Sequence, residues 1–162
     1  MTGILITFDL ASMAFLIWAM LTGYLGIAIR THIIIALGAT ALSVFAHCLI
    51  MMYMVAVGRM IREAVEKAGL NIKYVEQSKS YRKKVMRIAL IAMVAVMLNT
   101  ILGGGAHTHA FPIYVHHALA ITAIVINAYS VYLEVRFLIA NHLLGHRVAR
   151  EFEAAGKGKS PA

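Results

Sequence analysis

Charge is scarce in this 162-residue chain: 14% of its residues are charged against 61% apolar, and the mean hydropathy is +0.79. So few charges cannot cover a water-soluble globule of this size, which points to an integral membrane protein. The length allows one compact domain. Cysteine occurs once, at Cys48, so no intrachain disulfide is possible and cysteine usage tells nothing of the compartment. Proline occurs only at Pro112, between two apolar stretches, and at Pro161 in the C-terminal tail. A glycine-rich phosphate loop after a strand, a His-Glu-x-x-His helix and a Ser, His and Asp set at one depth are all lacking, so catalysis is not assigned to this chain alone.

What the chain does have is long uncharged stretches. Asp9 is the only charge in residues 1–29, and residues 31–58 and 88–133 carry none. A membrane-spanning helix takes roughly 20 apolar residues. Four spans are therefore expected, at 4–27, 33–57, 85–102 and 113–133, the last two separated by Gly103-Gly104-Gly105 and Pro112. The expected fold is all-α, a four-helix transmembrane bundle over residues 1–150. No Lys or Arg precedes the first span and Asp9 interrupts it, so it reads as a retained helix rather than a signal peptide.

The net charge of +8 raises the question of nucleic acid, but the cations sit between and after the apolar stretches, as in loops that face anionic lipid. The expected partner is the lipid bilayer, with no nucleic acid. Residues 59–87 hold nine Lys or Arg, the connection at 28–31 one, and that at 103–112 none. The positive-inside rule then puts both termini and the central linker in the cytoplasm, in what is expected to be a bacterial cytoplasmic (inner) membrane. The linker, 59–84, reads as helical: Arg59 and Glu63, Arg62 and Glu66, and Glu63 and Lys67 lie four apart. Gly69 ends that helix, Asn71 caps the next, and Leu70 staples onto Val75. Residues 151–162 read as a disordered tail.

Polar groups inside the membrane are costly, so they mark the places where function is expected. His32, Ala36, Thr40, Ser43, His47, Met51 and Met54 recur at intervals of three and four and form one stripe of the second helix. His116, Ala120, Ala123, Asn127, Ser130 and Glu134 form a matching stripe on the fourth, while Ile121, Val125 and Tyr132 face lipid. With both helices running inward, His32 and His116 share a depth near the outer surface, where two imidazoles suit the axial positions of a haem iron.

In this respect the chain resembles the four-helix b-type cytochromes and the haem-bearing membrane anchors of respiratory complexes. In those families one helix carries two ligands about four turns apart and the haems exchange electrons with quinones. The resemblance implies haem b held by His32 and His116, with His47 as a second candidate ligand, in an electron-transfer or anchor subunit that works with other membrane or redox subunits. The chain departs from the pattern at His47, opposite which the fourth helix offers Asn127 and Val131 and the third Met93 and Met97. One haem is therefore expected rather than two.

Other readings attach to particular residues. Ser43, one turn from His47, is able to satisfy that imidazole in a purely structural subunit. His107 and His109, with His116 or His117, gather imidazoles on the outer side for copper or zinc. Asp9 is expected to pair with Arg59, Lys84 or Arg87, and Glu134 to lie near the same inner surface. Tyr24, Tyr53, Tyr114 and Tyr132 suit either a quinone pocket or the interfacial belts. His142 and His146 are explained as cations at a helix end.

Overall fold

The computed structural model describes residues 2–108, 110 and 112–157, the side chains of His107 and Lys157 excepted. Four helices account for nearly all of them: α1 (Thr2–Tyr24), α2 (Ile29–Ala68), α3 (Lys73–His107) and α4 (Ile113–Lys157). Each is long and apolar enough to cross a membrane. At 1.5 Å per residue α1 measures about 34 Å, close to the hydrocarbon thickness, whereas α2, α3 and α4 reach about 60, 52 and 68 Å. Three helices therefore project well beyond one end of the four-helix section. Large apolar side chains such as Phe15, Trp18, Leu37, Phe45, Val94, Ile121 and Val125 point outward. Many of the buried positions are small or polar, among them Ala19, Ala39, Ala46, Ala92, Ala123, Ser12, Ser43 and Ser130. Such a distribution suits helices that pack on one another while facing lipid.

Helices consecutive in the chain run antiparallel, and among the described residues α1 packs on α2 and α4 but not on α3. In the projecting section Ile61, Val65, Leu144 and Val148 form a core against which Leu70, Tyr74 and Val75 pack. Gly69 closes α2 at φ 67°, with its N–H donating to the Val65 carbonyl, a left-handed cap that costs glycine little. Asn71 Oδ1 accepts at 3.0 Å from the amide of Lys73, the first residue of α3. Of the three expected ion pairs, Arg62 and Glu66 meet at 3.7 Å among the described residues.

Two expectations are corrected. Gly103-Gly104-Gly105 does not end α3, which continues through it to His107; a Cβ on Gly103 would lie 2.8 Å from His116 Cε1, so glycine serves close packing there rather than a turn. Nor does order stop at Arg150, because α4 runs on to Lys157.

Candidate functional site

The register of the helices decides which polar groups meet. Along the antiparallel α1–α2 pair Thr2 bonds Tyr53 and Thr22 bonds His32, which brings Asp9 to the level of His47. Along the parallel α2–α4 pair Ser43 bonds Asn127, an offset of 84 residues that also separates His32 from His116. The interior consequently carries three polar layers divided by apolar ones.

At the end with the α1–α2 and α3–α4 turns, His32, His116 and His117 line a cavity of about 350 Å³, together with Gly23, Gly103, Asn99 and Thr100. Thr22 donates its hydroxyl to the Ala19 carbonyl at 2.7 Å. Toward His32 Nδ1, 2.9 Å away, the same oxygen must therefore accept. Nδ1 then carries a hydrogen, and Nε2 has no protein partner among the described residues. His116 Nδ1 and Asn99 Oδ1 are buried and unpartnered. Glycines flank both rings: a Cβ on Gly23 would come within 3.1 Å of His32 Cε1, as one on Gly103 would crowd His116. His117 turns to Tyr24, with ring centroids 4.9 Å apart. His109 and the His107 side chain lie outside the described residues, so of the outer imidazole cluster the structure places His116 and His117, 6.2 Å between ring centroids.

Below Ala39, Val96 and Ala123, which are packed together, lies the second layer. Asn127 donates its amide nitrogen to the carbonyls of Ala123, at 2.8 Å, and Ala92, at 3.4 Å. Its oxygen is thereby turned to His47 Nε2, 3.1 Å away, which must carry a hydrogen. His47 Nδ1 lies 2.8 and 3.0 Å from the two carboxylate oxygens of Glu134, and Ser130 donates to Glu134 Oε1 at 2.7 Å. Asp9 completes the layer from α1, fully buried, with neither carboxylate oxygen hydrogen-bonded. One ligand atom from each of Asp9, His47 and Glu134 lies within 4.8 Å of the others.

Several site expectations change here. Among the described residues Asp9 forms no ion pair with Arg59, Lys84 or Arg87, and its basic neighbour is His47. Glu134 is fully buried inside the bundle. Ser43 donates to Asn127 and not to His47. With both ring nitrogens of His47 engaged, it is not placed as a second axial haem ligand. The third layer links Thr2, Tyr53, His142 and His146 in one hydrogen-bonded series, at 3.0, 3.3 and 3.2 Å. His142 and His146 thus sit within α4, well before its end, and Tyr53 is committed to this series. Outside the apolar section, the Tyr74 hydroxyl donates to Glu151 at 2.6 Å, and that bond holds the phenol above its ordinary pKa.

The sequence reading missed the interior stripe of α1. Thr2, Asp9, Ser12, Leu16, Ala19 and Thr22 are all buried, and from Asp9 onward they recur at the same spacing of three and four that marked α2 and α4. Compared with known proteins, the chain matches no protein-family model, no curated protein and no solved structure.

Proposed function

We propose that this protein is an integral membrane electron-transfer or anchor subunit that holds haem b between His32 and His116. The cavity end faces outward, while both termini and the α2–α3 connection lie in the cytoplasm, as the nine cations of residues 59–87 favour. The observation that carries the reading is the pair of histidines lining one cavity, with the tautomer of His32 held by Thr22 so that Nε2 is free to ligate. Metal-bound histidines are typically oriented this way, by a hydrogen bond from the other ring nitrogen. The equal α2–α4 offset supports a common depth, and Gly23 and Gly103 leave each ring room that larger side chains would take. A cavity of about 350 Å³ lies within the range of small-molecule sites.

Haem bound there supplies a reversible one-electron carrier. The chain's own part is to hold the two imidazoles, to shield them from water with Ala36, Ala120 and Ala123, and to leave Asn99 and Thr100 as polar contacts at the cavity wall. Electron exchange with a quinone or with another redox subunit fits this arrangement, and the exposed apolar faces of the helices suit both lipid and neighbouring membrane subunits. The purified protein is expected to show a Soret band that shifts on reduction and disappears in His116→Leu. A colourless preparation with its helices intact supports the alternative, a structural accessory subunit, which is favoured by the polar ties among α1, α2 and α4.

A further inference from the structure

We infer that Asp9, His47 and Glu134 form a buried site, shared by α1, α2 and α4, for one divalent transition-metal ion. The inference does not depend on haem at the cavity end. Its starting point is the Asn127 amide, whose two carbonyl acceptors leave only its oxygen for His47. The hydrogen on His47 is thereby assigned to Nε2, and Nδ1 meets the Glu134 carboxylate with a lone pair. A hydrogen or a cation has to lie between them. A proton on Nδ1 would serve Glu134 but leave Asp9, fully buried and aimed at the same point, with both oxygens unpartnered. A divalent ion serves all three at once, and its two positive charges balance the two carboxylates in a medium where net charge is costly.

The donor set agrees with this. One imidazole and two carboxylates, with no sulfur, suit zinc, manganese or ferrous iron better than cuprous copper. An ion about 2.1 Å from each donor requires donors roughly 3–4 Å apart. The three atoms already lie within 4.8 Å of one another, so small side-chain rotations complete the site. Asn127 on His47 Nε2 and Ser130 on Glu134 Oε1 are the outer hydrogen bonds that orient the ligands.

The test uses the full chain purified in detergent from cells grown with added zinc, in a His32→Ala/His116→Ala background that removes both proposed haem ligands. Elemental analysis is expected to find about one zinc ion per chain, and added cobalt to give the visible absorption of a bound ion. Asp9→Asn and Glu134→Gln, which keep shape while removing charge, are each expected to weaken cobalt binding about 100-fold and to abolish the rise in Tm that the metal gives. A helical, metal-free double variant that takes up no cobalt would overturn the inference and leave a proton in the gap. Undiminished binding in both charge-neutral variants would overturn it equally.

Discussion

His32 and His47 lie on one stripe of α2, about four turns apart, yet their surroundings make them different reagents. His32 has one hydrogen bond, to Thr22, and otherwise borders open space. His47 is fully buried, with both nitrogens engaged by side chains of α4 and a third helix supplying Asp9. Identical residues thus border a cavity with one nitrogen left open at one depth and form the centre of a polar tie at another. The difference comes from their neighbours: glycine and alanine beside His32 leave a cavity, whereas Asn127, Ser130 and Glu134 fill the corresponding place below.

The contrast can be broken most forcefully by truncating each ring. His47→Ala removes the ring that ties Glu134 to Asn127 and leaves the buried Glu134 carboxyl without that partner, at an expected cost of about 3–5 kcal/mol, read as a lowered Tm in detergent; His32→Ala, which forfeits one hydrogen bond, is expected to cost about 1 kcal/mol. Equal losses would mean that the two layers are not distinct. Thr22→Val keeps the shape of α1 but releases the His32 tautomer, and haem affinity is expected to fall about 10- to 100-fold with helicity unchanged. Unaltered titration with haem would show that Thr22 has no orienting role. Gly103→Ala presses a methyl group toward the His116 ring and is expected to shift the Soret band, while Gly104→Ala, which meets nothing within 4 Å, should leave the spectrum as it is.

The smallest effect concerns the projecting section, where neither layer reaches. Glu151 accepts from Tyr74 and raises its folded-state pKa above the unfolded value. The stability this supplies is present below the unfolded tyrosine pKa and is lost as pH rises through the folded one. Phenolate absorbance is expected to show one late-titrating tyrosine that Tyr74→Phe removes, and a titration identical in the two proteins would contradict the bond.

Much of this architecture could be read from hydropathy, because long uncharged stretches in a chain this apolar have few alternatives to membrane helices. Spacing likewise located the inward faces of α2 and α4, and so His32, His47, Asn127, Ser130 and Glu134. What spacing does not contain is register. That Asp9 meets His47 follows only once the α1–α2 turn sets the pairing in which Thr22 reaches His32, and the apolar residues around Asp9 had suggested distant cations instead. The glycine run at 103–105 misled for a different reason: its local propensity favours a break, while packing against His116 favours a continuous helix. Order in residues 151–157 likewise rests on the helix continuing beyond the three-helix core, which a polar composition does not announce.

The central claim is that two imidazoles from different helices grip one iron. Electron paramagnetic resonance of the oxidised, purified protein addresses it most directly: a low-spin ferric signal with two nitrogen ligands is predicted, lost in either His32→Ala or His116→Leu. A high-spin signal, or a low-spin one that survives both substitutions, would contradict the account.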